Sequence, residues 1–148
     1  MLEEFIKQFT TKTIEYIQID DKFYKRNNRL KSLELPDRIP TIFGLFLGEI
    51  KNDTFYPSFN LLDLIAQDTV EIIIVNTWGE IDFLYGKYLR KRHIISIKGS
   101  QDKGRLKLIQ NQMGETLGYG RFLGFSDTKV KVANHILDRG VFLKRDKN

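Results

Sequence analysis

The chain has 148 residues, of which 41% are hydrophobic and 29% charged, with a net charge of +5. That size allows one ordinary domain or two small ones, and the composition excludes a disordered or fibrous chain. With no cysteine there are no disulfides and no thiolate metal sites, and no run of about 18 apolar residues is present to span a membrane. The opening MLEEFIKQFT begins with acids instead of a basic segment, so no signal peptide is expected. Lack of cysteine and of a signal both favour a cytoplasmic setting.

The charge is unevenly divided. Residues 1–76 carry nine Lys/Arg against twelve Asp/Glu, and residues 77–148 carry fifteen against seven. A chain split in this way is expected to turn its second half toward a polyanion, because clustered cations are the electrostatic footprint of nucleic-acid binding.

Leu2, Phe5, Ile6 and Phe9 recur at helical spacing, with Glu3 and Glu4 placed where acids suit the helix dipole. IEYIQI (14–19) reads as a strand, and Asp20-Asp21 turns it into KFYKR (22–26). Residues 28–40 are polar, contain Pro36 and Pro40, and read as a loop. TIFGLFLGEI (41–50) is short, aromatic and interrupted by glycine, which favours a buried strand over a helix. Asn52-Asp53 leads to a partner strand, TFYPSF, and Asn60 is a suitable N-cap for a short helix over LLDLIAQ. VEIIIV (70–75) is a β-branched strand, and the domain boundary is expected at Asn76-Thr77, where the charge changes sign. Trp78 to Tyr85 suits a short helix ended by Gly86. Short β segments follow: HIISI, RLKLIQ, TLGYGRFLGF, KVKVANHIL and VFLK, punctuated by glycines. Many short strands with regular turn signals predict a small barrel or sandwich.

The chemistry of catalysis is missing at the motif level. His93 and His135 lie far apart and outside any HExxH pattern, so no metal site is expected. There is no phosphate-binding GxxxxGK[ST] loop and no GxSxG elbow. Gly124 comes one position too late for GxGxxG. No cofactor is expected. Asp82 and Asp138 are the carboxylates to watch, with capping or an ion pair as their ordinary role.

The positive signal is cations interleaved with aromatics. Lys87, Arg90, Lys91 and Arg92 fall within six residues. Lys103, Arg105 and Lys107 alternate, so a strand would place them on one face, as it would Lys129 and Lys131. Arg139, Lys144 and Arg145 close the chain. Such cations bind phosphates with little sequence preference, and specificity must come from stacking and hydrogen bonds to unpaired bases. Tyr85, Tyr88 and Tyr119 are the candidates for stacking, although packing within a strand is the commoner role of a tyrosine.

Phe83-Leu84-Tyr85-Gly86 followed by a basic stretch, then Leu117-Gly118-Tyr119-Gly120, then Asp138-Arg139-Gly140-Val141-Phe142-Leu143-Lys144-Arg145, together resemble the Nip-seven family of ribosome biogenesis factors. The likeness extends over roughly residues 40–145. It implies an α+β chain, with a small α/β pre-PUA domain over 1–76 and a PUA-type β-barrel over 77–148. The family resemblance also implies a non-catalytic RNA-binding protein acting on pre-rRNA in large-subunit assembly, alongside other assembly factors; an archaeal-like monomer is expected. Its RNA contacts would come from Lys87, Arg90, Lys91 and Arg92 after the FLYG motif and from Lys129, Lys131, Arg139, Lys144 and Arg145 near the end. His93 stands where relatives commonly have glycine, which sets a side chain on the expected path of the RNA. Two other readings share these residues: an RNA-holding accessory subunit of a tRNA or rRNA modification enzyme, and a protein adaptor whose positive charge serves solubility.

Overall fold

The computed structural model describes residues 1–26, 44–125 and 131–139. The chain separates into two units, Met1–Ile65 and Ala66–Asn148. It is a mixed α/β protein with several small sheets and few helices.

In the first unit, helix α1 (Leu2–Lys7) buries Leu2, Phe5 and Ile6 and keeps Glu3 and Glu4 in its first turn. Strands β1 (Tyr16–Ile19), β2 (Lys22–Lys25), β3 (Phe46–Lys51) and β4 (Thr54–Pro57) form an antiparallel sheet in the order β1-β2-β3-β4. The β1–β2 and β3–β4 turns both use acidic or amide residues at positive φ: Asp20 at 54° in the first, Asn52 at 50° and Asp53 at 59° in the second. These side chains tolerate the left-handed region better than most. Aromatic rings fill the space between α1 and the sheet, with Phe5 5.6 Å and Phe23 5.7 Å from Phe55. Helix α2 (Phe59–Ala66) starts earlier than the expected Asn60 cap. The capping role falls to Ser58, whose Oγ accepts from the Leu61 amide at 3.2 Å, while the Asn60 side chain donates to the Phe46 carbonyl. The loop expected over 28–40 lies outside the described residues.

The second unit contains β5 (Ile72–Val75), helix α3 (Thr77–Leu84), β6 (Leu89–Arg90), a 3₁₀ turn (Lys91–His93), β7 (Ile94–Ile97), β8 (Leu106–Gln110), β9 (Thr116–Arg121), β10 (Lys131–Ala133) and β11 (Leu137–Asp138). β5 pairs with β7 and runs parallel to β8, so this β-branched strand belongs to the sheet β11-β9-β8-β5-β7. The backbone therefore divides before β5, ahead of the change in charge at residue 76. β10 pairs with β6 in a separate two-stranded sheet. The expected barrel is seen as these two sheets, and the pairings among the described residues do not close it. The core holds Ile73, Val75, Phe83, Leu89, Ile109, Leu117, Phe122, Val132 and Ala133.

Two glycines of β9 are dictated by what crosses them. A Cβ on Gly118 would sit 1.9 Å from the Leu137 carbonyl oxygen, and one on Gly120 would sit 2.0 Å from that of Asn134. Residues 134–138 lie directly on β9 at these points, so the segment expected as one strand, KVKVANHIL, is broken into β10 and β11. VFLK lies outside the described residues.

The alternation of Lys103, Arg105 and Lys107 does not produce a basic face. Every residue of β8 is buried, and Lys107 is 0% exposed. Its ammonium donates to Glu71 Oε2 at 2.6 Å and to the Lys98 carbonyl at 2.5 Å. The Glu71 carboxylate also accepts from the Ser100 amide and stands 3.5 Å from the Arg105 guanidinium. The physical reason is that β8 is a central strand, flanked by β9 and β5, so a long cation there has to carry its counter-charge inward with it.

Candidate nucleic-acid interface

Asn76 and Gly86 bound the helix from which the interface starts. Asn76 Oδ1 accepts from the Gly79 amide at 2.9 Å, capping α3, while its Nδ2 donates to the Arg92 carbonyl at 2.8 Å. One side chain thus ties the start of the helix to the 3₁₀ turn. Gly86, at φ 82°, ends the helix as expected. The chain then runs through Lys87 and Tyr88 into β6, which lies beside β10 with Lys131 opposite Arg90.

That register brings together cations 41 positions apart in sequence. The Lys131 ammonium lies 4.5 Å from the centre of the Tyr88 ring, and the Arg90 guanidinium carbon lies 5.3 Å from it. Arg90 also donates to the Tyr88 hydroxyl at 2.9 Å. Both cations are within range of a cation–π attraction, so the tyrosine holds two like charges close together on a partly open surface. Lys87, Lys91 and Arg92 are exposed on the same stretch of chain.

The other expected contacts divide. Arg139 is brought to β9, where its Nε donates to the Thr116 carbonyl at 2.7 Å and its amide to that of Leu117 at 3.0 Å. It is a strand anchor more than a presented cation. Asp138 beside it is buried and paired with the His135 imidazole, which gives this acid a structural role. Lys129, Lys144 and Arg145 lie outside the described residues. Of the other stacking candidates, Tyr119 is 7% exposed and packs within the sheet, while Tyr85 is 52% exposed on the end of α3.

Sequence reasoning passed over Trp78. It is 73% exposed, and with Asp82 it stands at i, i+4 on one face of α3. Trp78, Asp82, Arg92 and His93 line a pocket of about 350 Å³. The readable signal was the i, i+4 spacing of an aromatic and an acid directly ahead of a basic stretch.

Residues 71–147 match the model of the UPF0113 PUA domain family. The chain belongs to the UPF0113 PUA domain family. Its fold is similar to that of a conserved PUA domain protein from Thermoplasma acidophilum, with a TM-score of 0.60 at 19% identity, covering 97% of this chain and 89% of that one. It is also similar to a hypothetical protein from the hyperthermophilic archaeon Pyrococcus horikoshii, with a TM-score of 0.56 at 12% identity, covering 93% and 89%. No curated protein sequence matches the chain. PUA domains generally bind RNA. Among the described residues of this PUA domain, Arg90 and Lys131 gather on the Tyr88 ring.

His93 does not stand out on the surface of the PUA domain as an obstruction. It is 1% exposed, turned inward, and absent from the residues at positive φ. Its Nδ1 accepts from the Arg90 amide at 3.0 Å, which assigns the ring proton to Nε2. Nε2 lies 3.1 Å from Asp82 Oδ2 but makes no aligned hydrogen bond. Burial pushes the His93 pKa below its ordinary value; Asp82 pulls it up, and Arg92 and Arg90 push it down again. An imidazole depressed in the folded state is protonated first in the unfolded chain. Its contribution to stability is therefore complete above the unfolded value of about 6.5 and is lost as pH falls below it. Urea titrations at pH 7.5 and 5.5 are expected to show a loss of stability on acidification that is smaller in His93→Gln.

Proposed function

We propose that the protein is a non-catalytic RNA-binding factor that acts on pre-rRNA in assembly of the large ribosomal subunit. The observation that carries the RNA-binding part is the pairing of β6 with β10, which gathers Arg90 and Lys131 on the Tyr88 ring. Lys87, Lys91 and Arg92 extend this positive surface, and membership of a PUA domain family supports RNA as its partner. The ribosomal part rests on the resemblance of Phe83-Leu84-Tyr85-Gly86, Leu117-Gly118-Tyr119-Gly120 and the Asp138-Arg139-Gly140 segment to the Nip-seven family.

Among the described residues no group of three or more His, Asp or Glu could hold a metal ion. Asp138 is committed to His135 and Glu71 to Lys107, so these buried acids serve structure. Among the described residues no helix is long and apolar enough to cross a membrane.

Crosslinking the protein to RNA in cells and sequencing the bound fragments tests the whole reading. Enrichment of large-subunit pre-rRNA is expected. Enrichment of tRNA, with co-purification of a modification enzyme, would replace this role by that of an accessory subunit.

A further inference from the structure

The pocket beside α3 has a donor and acceptor pattern of its own. Trp78 offers an open aromatic face, 73% exposed. Asp82, one helical turn on, contributes a carboxylate that only accepts hydrogen bonds. Arg92 only donates, and the Nε2–H of His93 is buried without an aligned partner. It lies 3.1 Å from Asp82 Oδ2, which sets that carboxylate at the pocket wall. At about 350 Å³ the pocket is at the lower end of the range for small-ligand sites, roughly 300–1,000 Å³, a size for one planar ring system.

We propose that this pocket takes a single unpaired guanine base of the bound RNA, stacked on Trp78, with its N1–H and amino N–H on the Asp82 carboxylate and its O6 toward Arg92. The proposal rests on the RNA-binding reading above and gives that surface a base preference. Guanine alone among the four bases presents two adjacent N–H donors to one carboxylate with a carbonyl oxygen beside them. Adenine and cytosine each present one amino group next to a ring nitrogen lone pair, which would face the carboxylate. Uracil presents one N–H flanked by two carbonyl oxygens. Repulsion of these lone pairs from Asp82 therefore discriminates as strongly as attraction of guanine does. The phosphate contacts at Arg90 and Lys131 supply affinity without sequence, and the pocket supplies a single letter of specificity.

Trp78 is the chain's one tryptophan, so its fluorescence reports directly on the pocket. The test titrates the full-length protein with four labelled oligouridine strands that are identical except for one central G, A, C or U. The guanine strand is expected to quench Trp78 and to bind about tenfold tighter than the other three, the effect of one stacked and hydrogen-bonded base. Asp82→Asn is expected to abolish the difference between the guanine strand and the other three. Trp78→Leu, at an exposed position, is expected to remove the same preference by anisotropy and guards against a folding defect at Asp82. Equal binding of all four strands by a protein that still binds RNA in a salt-dependent way would overturn the pocket alone, and so would a guanine preference that survives both substitutions. Failure to bind any strand would overturn the RNA-binding reading together with it.

Discussion

Glu71→Gln is expected to destabilise the second unit by about 3–5 kcal/mol, the cost of leaving a buried charge without its counter-ion. The Glu71 carboxylate lies between two cations, the fully buried Lys107 at 2.6 Å and the half-buried Arg105 at 3.5 Å. It also accepts from the Ser100 amide with both oxygens, at 3.2 Å each. Glutamine keeps the shape and one acceptor but removes the charge, so the Lys107 ammonium would remain in the sheet with the Lys98 carbonyl as its principal partner. Gly99 leaves room for this carboxylate, since a Cβ there would meet Glu71 Oε1 at 2.7 Å. Urea unfolding followed by circular dichroism measures the loss. A Lys107→Met, Glu71→Gln double variant is expected to recover most of it, because an apolar side chain of similar length removes the stranded charge. A loss below about 1 kcal/mol in the single variant would mean that water reaches the ammonium.

This ion pair also marks where the sequence was hard to read. Lys103, Arg105 and Lys107 alternate as a solvent-facing stripe would, and alternation cannot distinguish a cation facing water from one facing a carboxylate 36 residues away. The partner, Glu71, comes from β5, and only the parallel pairing of β5 with β8 makes the two neighbours. Nonlocal pairing of this kind has no local signature. For the same reason the composition of β5 announces a strand but not the sheet to which it belongs.

Local rules did better. The spacing of Leu2, Phe5 and Ile6 produced α1, Asp20-Asp21 and Asn52-Asp53 produced turns at positive φ, and Gly86 ended α3. The glycines of Leu117-Gly118-Tyr119-Gly120 were visible as a motif, but their cause was not. It is the approach of the Leu137 and Asn134 carbonyls to within about 2 Å of where a Cβ would stand. In the candidate interface, the cluster 87–92 was legible as a run of charge. Its junction with Lys131 depended on an inter-strand register, and the ring of Tyr88 that organises both cations was one tyrosine among three candidates. For Trp78 the i, i+4 spacing with Asp82 is legible, but the pocket it lines exists only once Arg92 and His93 are folded against it.

The central claim is that RNA is held by the cations gathered around Tyr88, and the salt dependence of binding tests it most directly. Affinity for a single-stranded RNA is to be measured by fluorescence anisotropy across a range of salt concentrations, for the unchanged protein and for a variant with Lys87, Arg90, Lys91 and Lys131 replaced by glutamine. Each phosphate contact contributes roughly 0.7 to the slope of log affinity against log salt for a single strand. Removing four is expected to flatten the slope by about 3 and to weaken binding about a hundredfold near physiological salt. An unchanged slope in a variant that folds normally would contradict the claim and move the RNA to another surface.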